Sequence, residues 1–365
     1  MVIYRKYRPK TFKEVIGQEN IVQILENEIK SDKVAHAYLF TGPRGLGKTT
    51  LSRLMAKAVN CLNRKNGESE PCNKCDHCQS INNNRFIDLI ELDAASQTGV
   101  DNVRENIIAY SRIPPAQGKY KVFVIDECHM LSLSAFNALL KILEEPPKYV
   151  IFILATTEIH KLPETIISRC QRFDFNKVSM EKIVQRMETI MKQEKIKVDK
   201  KVLQNIASRS EGCVRDAESL LGQLMFLNDK NITEKEASLI LPLAQTDAIV
   251  KFLQFIFKKD KTEAVKLINE LLEQGINLDQ FVVDLIEFLR KIMLIKIKAV
   301  NKDYWLQDEN FQKKADEMAG KTELKTLISA LDVFIKTKIQ LGYSEIPQLP
   351  LELAVLKICE EAQPK

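Results

Sequence analysis

No stretch of this sequence approaches the ~20 consecutive apolar residues that a membrane-spanning helix needs. The opening Met-Val-Ile-Tyr-Arg-Lys-Tyr-Arg-Pro-Lys carries charges with no hydrophobic core behind them. Neither a membrane partner nor a secretory signal is expected, and the protein reads as cytoplasmic. Internal repeats and low-complexity tracts are also missing. An excess of one charge is hardly present, because 54 basic residues face 49 acidic ones for a net charge of +5. That balance is compatible with nucleic acid but too mild to argue for it. No aromatic-rich or arginine-rich segment of the RNA-reading kind occurs. From residue 246 onward there is no histidine and one cysteine, Cys359, so nothing catalytic is expected in that part.

Cysteine, by contrast, is concentrated. In a cytosolic chain, eight cysteines point to metal or reduced thiols before disulfides. Four of them, Cys61, Cys72, Cys75 and Cys78, fall within eighteen residues. Thiolates spaced two residues apart can converge on one tetrahedral Zn²⁺ at about 2.3 Å. The intervening segment 63–70 is polar and could not fold alone, so a metal would supply its local stability. The C-x2-C-x2-C run also fits an iron–sulfur pattern, though without the usual distant Cys-Pro, and unliganded surface thiols are the plainest alternative. Ligand count and spacing favour a structural zinc module at about 61–78. Four thiolates leave no open position, so such a zinc is not catalytic.

The second concentration is glycine around a lysine. Gly42-Pro43-Arg44-Gly45-Leu46-Gly47-Lys48-Thr49 fits G-x-x-x-x-G-K-[ST]. An apolar run at 34–40 precedes it and reads as a buried strand. Leu51, Leu54, Met55, Ala58 and Val59 follow at helical spacing. In that strand–loop–helix setting, backbone N–H groups and a helix N-terminus cradle phosphates. Lys48 would reach the β- and γ-phosphates of a nucleotide, ATP in the simplest case, and Thr49 would ligate Mg²⁺. A second strand, 121–127, ends in Asp126 and Glu127, the Walker B pattern. Asp126 is placed to hold Mg²⁺ and Glu127 to polarise an attacking water. His129 reads equally as a structural histidine or a coupling element.

At 365 residues the chain suggests two or three domains. Strand patterns at 34–40, 87–93, 121–127 and 149–155, with a last one through Phe175, alternate with helices. Helix 19–31 is expected to bury Ile21, Ile24, Leu25 and Ile29, and 133–143 is another helix. Thr11-Phe12-Lys13-Glu14 reads as a capping box. The expected fold is α/β with a mostly parallel sheet covered on both faces. Thr156-Thr157 ends a strand at the carboxyl edge, where a hydroxyl can reach a γ-phosphate. After residue 179 only short amphipathic helices are expected, at 180–193, 202–209, 214–227 and 233–240, with a capping box at Thr233 and Glu236. Pro242 marks a boundary, and the rest is helical with breaks at Gly275, 301–303 and 342–350. The resulting division is 1–178, 179–242 and 243–365.

These motifs, in this order, resemble the DNA polymerase III gamma/tau family, the AAA+ clamp-loader ATPases of bacterial replication. The resemblance is carried by residues 4–12, the loop through Thr50, the cysteine module, Ile125 to Leu131, residues 135–147, Ser168-Arg169-Cys170 and Gly212-Cys213-Val214-Arg215. It is densest over 1–220. It implies an ATP-binding AAA+ domain with a zinc module, a helical lid and an all-α oligomerisation collar. It implies a sensor role for Thr157, a lid arginine at Arg215 and, at Arg169, which taken alone before a final strand reads as a salt-bridge partner, an arginine finger acting on ATP of the adjacent subunit. Tyr7, Arg8, Pro9, Val15 and Ile16 would line the adenine. The implied cofactors are ATP, Mg²⁺ and Zn²⁺. The implied partners are other clamp-loader subunits in a hetero-oligomeric ring, the sliding clamp and primer–template DNA. Arg104, near the start of a helix opened by Asp101, is a candidate phosphate contact for that DNA or, equally, an ordinary exposed arginine. A branch-migration motor would need strands after the lid, and a non-hydrolysing stator subunit would not need the intact Lys48, Thr49, Asp126 and Glu127.

Overall fold

The computed structural model describes residues 2–96, 107–226, 231–237, 246–299 and 309–360. The chain divides into two compact units, Met1–Glu236 and Ala237–Lys365. In the first, five strands form one parallel sheet: β1 (Ala37–Thr41), β2 (Leu89–Asp93), β3 (Lys121–Asp126), β4 (Val150–Thr156) and β5 (Gln171–Asp174), in the order β2-β3-β4-β1-β5. β1 and β4 are buried along their whole length, whereas the edge strand β2 is half-exposed. Inner strands of a parallel sheet face packed layers on both sides, so continuous apolar runs suit them.

Alternate residues divide between those layers. Tyr38, Phe40, Val122, Val124 and Ile153 pack with Leu51, Leu54 and Met55 of the helix Lys48–Val59. Leu39, Phe123, Ile125, Phe152 and Leu154 pack with Phe136 and Leu139 of the helix Leu133–Glu144. Burying side chains of that size contributes roughly 1.5–3 kcal/mol each. The register sets Thr41 beside Thr156 and Asp93 beside Asp126, which brings the carboxyl ends of β1 to β4 to one edge. Ligands bind outside that edge in open α/β sheets.

Three local expectations need correction. In the helix Glu19–Lys30, Ile21, Leu25 and Ile29 are buried, but Ile24 is 45% exposed, one position off the buried stripe. Thr11 makes no side-chain cap, and the Glu14 carboxylate accepts from Lys10 N instead, at 2.8 Å. The segment 12–14 is a single 3-10 turn, too short to present the N-terminus of an α-helix. Strands do occur after residue 179: Lys197–Val198 pairs in parallel with Asn231–Ile232. Two residues are too few to display a period of two in sequence.

Three helices, Met180–Glu194, Lys200–Arg209 and Val214–Met225, pack around Ile183, Met187, Leu203, Ile206 and Leu221. The Thr233–Glu236 capping box forms, with Thr233 N donating to the Glu236 carboxylate at 3.0 Å. In the second unit the described residues form six helices: Thr246–Phe257, Lys261–Glu273, Leu278–Lys296, Glu309–Lys321, Leu324–Leu341 and Leu349–Glu360. Phe252, Phe281, Phe288 and Phe334 are its largest fully buried side chains. Gly275, at φ +73°, ends one helix as expected, while Pro350 lies within the first turn of the last, where its missing N–H costs no bond. The break expected at 301–303 lies outside the described residues. No described helix is long and apolar enough to cross a membrane.

Candidate active site and metal centre

A cavity of about 520 Å³ opens at the carboxyl edge of the sheet. Its polar end is the glycine loop, from Arg44 and Gly45 through Leu46, Gly47, Lys48 and Thr49 to Thr50, with Asp93, Asp126 and Glu127 opposite. Its other wall is built by Arg8, Pro9, Val15 and Ile16 of the amino-terminal segment, with Arg186, Val214, Arg215 and Glu218 from the three-helix layer. Gly47 holds φ +97° just before the helix Lys48–Val59, a conformation that suits glycine.

Lys48 is only 6% exposed, and its ammonium donates to Gly42 O at 2.5 Å and Pro43 O at 2.8 Å. Burial pulls it below the usual lysine range, against the opposing pull of Glu127 and Asp126. The Thr49 hydroxyl donates to Asp126 Oδ2 at 2.6 Å. These two oxygens, from the glycine loop and the end of β3, are the hard donors that suit Mg²⁺. Glu127 follows with φ +47°, and Thr157 donates to its Oε2 at 3.0 Å. His129 lies between Thr156 Oγ1 at 3.1 Å, Glu127 Oε2 at 3.4 Å and Glu158 Oε1 at 3.3 Å.

Arg215 is positioned by a close approach. Its N donates to Gly45 O at 3.4 Å, and a Cβ added at Gly45 (φ +77°) would fall 2.1 Å from Cys213 Sγ. The Arg215 guanidinium sits 4.7 Å above the Tyr4 ring. Arg169 is elsewhere. It does not line the cavity, and its guanidinium pairs with Glu144 at 2.6 Å and with Thr165 O at 2.8 Å. Tyr7 also misses the cavity, since its hydroxyl donates to Glu194 at 2.6 Å; Tyr4 lines the cavity in its place. Sequence reasoning overlooked Tyr4, Asp93, Arg186 and Glu218. Asp93 ends a strand like Asp126 and was open to discovery. Arg186 and the buried Glu218, paired at 3.0 Å, lie on separate helices with no motif around them. Burial raises the Glu218 carboxyl, while Arg186 and Arg8 oppose it. Arg104 lies outside the described residues.

The sulfurs of Cys61, Cys72, Cys75 and Cys78 all lie within 4.8 Å of one another. Ligands about 2.3 Å from a tetrahedral Zn²⁺ stand about 3.8 Å apart. Here Cys61 and Cys75 are 4.0 Å apart, and Cys72 and Cys78 are 3.9 Å apart, far beyond a bonded disulfide. Cys72 Sγ also accepts N–H bonds from Lys74 at 3.4 Å and Cys75 at 3.3 Å. The donor set and its spacing fit the metal. His77 is not part of it: Nδ1 bonds Asn60 O at 2.8 Å and the ring packs on Phe86.

A glycine-loop phosphate cradle, a strand-end carboxylate pair and a helical layer roofing both define a P-loop nucleotide-binding domain of the AAA+ type. Family models then place the chain more narrowly. Residues 17–179 match one described as DNA polymerase III, delta subunit. Residues 182–228 match the DNA polymerase III clamp loader subunit ATPase lid domain, and 232–365 match domain III of the gamma and tau subunits. The gamma subunit of Buchnera aphidicola subsp. Baizongia pistaciae is 35% identical over 359 residues, covering 98% of this chain and 96% of that one. The chain belongs to the DNA polymerase III gamma/tau subunit family. The tau subunit of Bacillus subtilis is 41% identical over 358 residues, 98% of this chain and 63% of the relative. That of Escherichia coli is 40% identical over 296 residues, 81% and 46%. The chain thus spans about half to two thirds of these longer relatives. Among solved structures, the Thermotoga maritima RuvB branch migration motor is 19% identical with a TM-score of 0.47, covering 68% of this chain and 78% of its own. That likeness is too distant to bear on the assignment.

Proposed function

We propose that the chain is an ATPase subunit of the bacterial replicative clamp loader, using ATP binding and hydrolysis to load a sliding clamp onto primed DNA. The observation that carries this reading is the contact of Thr49 with Asp126 and of Thr157 with Glu127 at the mouth of a cavity roofed by Arg215. Family membership gives the reading its context. The glycine-loop amides and Lys48 hold the phosphates, and Thr49 with Asp126 hold the Mg²⁺ that offsets their charge. Glu127 orients the attacking water, and Thr157 fixes that carboxylate. Arg215 reads the γ-phosphate from the lid of its own subunit.

Arg169 supports the multi-subunit reading by its absence from this chain's cavity. It serves as the finger for ATP held by a neighbouring subunit, where such a group contributes roughly 10³–10⁵ in rate. The four cysteines hold one structural Zn²⁺. The branch-migration alternative loses its support, because only helices occur among the described residues from 246 on. The deciding experiment is ATP turnover by the purified chain, first alone and then with other loader subunits, clamp and primed DNA. A slow basal rate that rises only with the full set is expected. A high rate on branched DNA without clamp would replace the clamp-loader reading with the remodelling one.

A further inference from the structure

The cysteine cluster and the apolar end of the cavity are joined by a short stretch of backbone. Pro9 lines the cavity on one side of this stretch, and Val15 and Ile16 line it on the other. Between them, the Phe12 side chain of residues 10–13 is buried in the core beside the sheet, and most of the hydrogen bonds this stretch makes to distant residues come from the cysteine module. The Glu70 carboxylate accepts from Phe12 N at 2.9 Å and from Lys13 N at 3.1 Å, one oxygen for each. Asn73 Nδ2 donates to Lys10 O at 3.0 Å. Lys57, buried on the glycine-loop helix at 2% exposure, donates to the same Lys10 O at 2.9 Å, to Asn73 Oδ1 at 2.6 Å and to Asn82 Oδ1 at 3.0 Å.

The spacing explains how so local a module exerts this hold. Glu70 lies two residues before Cys72, and Asn73 lies between Cys72 and Cys75. Fixing the sulfurs fixes the backbone that aims Glu70 and Asn73 at residues 10–13, the middle of the amino-terminal arm (residues 3–16). Asn73 holds φ +58°, a conformation uncommon for a residue with a side chain. A solvated loop satisfied by water would not need a carboxylate capping two consecutive amides of a distant segment.

The geometry points to Glu70 and Asn73 as positioning residues for the base of the bound nucleotide, acting through residues 10–13 on Pro9, Val15 and Ile16. The inference rests on the nucleotide reading of the cavity and adds a division of labour to it. The phosphate end is positioned by the sheet, and the cysteine module adds a polar hold on the base end beside the apolar packing of Phe12. Because inorganic tripolyphosphate engages only the first, comparing it with ATP isolates the second.

The test is calorimetric titration of the full chain with Mg-ATP and with Mg-tripolyphosphate. It uses the native protein, Glu70→Ala, Glu70→Gln and Asn73→Gly, the last suited to the positive φ. Losing charged hydrogen bonds of this kind is expected to weaken ATP about tenfold in Glu70→Ala. Tripolyphosphate should change less than about twofold, and Glu70→Gln, which keeps an acceptor, should recover part of the loss. If Glu70→Ala does not fold, Asn73→Gly should show the same ATP-selective weakening. Equal losses for both ligands, or unchanged ATP affinity in the folded variants, would overturn the assignment. Failure of the native protein to bind either ligand would instead remove the nucleotide reading beneath it.

Discussion

The nucleotide cavity and the cysteine cluster reach order by opposite routes. The cavity gathers residues from Tyr4 to Glu218, each held by an element with its own packed face. Lys48 opens a helix whose Leu51, Leu54 and Met55 are buried, and Asp126 ends a strand buried on both sides. The cluster takes four residues from a segment with few buried apolar side chains, in which Asn63, Lys65, Asn66, Gly67 and Glu68 are all exposed. The cavity is therefore preorganised by the sheet, and under the proposed function its ligand is a substrate that comes and goes. The module has almost no core of its own, so a metal held by its four cysteines would be part of its structure. A metal held tightly on one side and a nucleotide that exchanges on the other are what the proposed function expects from where the apolar residues lie.

The largest expected effect tests whether the cavity is complete within one chain. Arg169→Ala should leave ATP affinity of the isolated chain within about twofold, because that guanidinium pairs with Glu144 and Thr165 rather than lining the cavity. Turnover stimulated by partner subunits, clamp and DNA should fall by roughly 10³-fold or more. Undiminished stimulated turnover would show that the cavity needs nothing from a neighbour.

A smaller effect tests the module. If the four cysteines hold a metal, stripping it with a chelator, or replacing Cys72 by Ser, should loosen the backbone around Arg64 and Lys65. Trypsin should then cut there at least about tenfold faster, since local opening governs proteolysis. The sheet should keep its circular dichroism, its core being made elsewhere. Unchanged cleavage would mean that the Arg64 bonds to Ala58 O at 2.9 Å and Glu68 O at 2.8 Å suffice to hold the loop. The contrast between the two regions would then fail.

Both regions were legible in sequence where chemistry is dense and local. The glycine loop, the Asp126-Glu127 strand end and the four cysteines announce themselves by spacing, and the parallel sheet by its alternation with helices. What stayed hidden depends on contacts between distant segments. Tyr4 and Tyr7 sit in the same basic stretch, and only the packing of helix Ile3–Lys6, with Ile3 against Gly222, decides which ring faces the cavity. Arg186 meets Glu218 across two helices, and Glu70 meets Phe12 across 58 positions. Ile24 shows the limit in miniature: it shares the apolar character of its neighbours, and one helical position, about 100°, decides its exposure.

The smallest expected effect concerns the arm, which both regions share. Lys6 and Tyr7 donate to Glu194 at 2.5 Å and 2.6 Å, so the amino-terminal end of the arm is held by the lid helix as its middle is held by the module. Those bonds from Lys6 and Tyr7 keep the Glu194 carboxyl below the usual glutamate range. A carboxylate whose folded pKa is depressed contributes stability that is present above its unfolded value, near 4.3. The contribution is lost as pH falls through the folded value. Screened by solvent, it should amount to no more than about 0.5 kcal/mol. Denaturant unfolding at pH 7 should find Glu194→Gln weaker than the native chain by that amount, and the two should converge as the carboxyl is protonated. A gap that persists unchanged into acid would assign the difference to packing. The arm would then be tied to the lid by shape, leaving the module as its charged anchor.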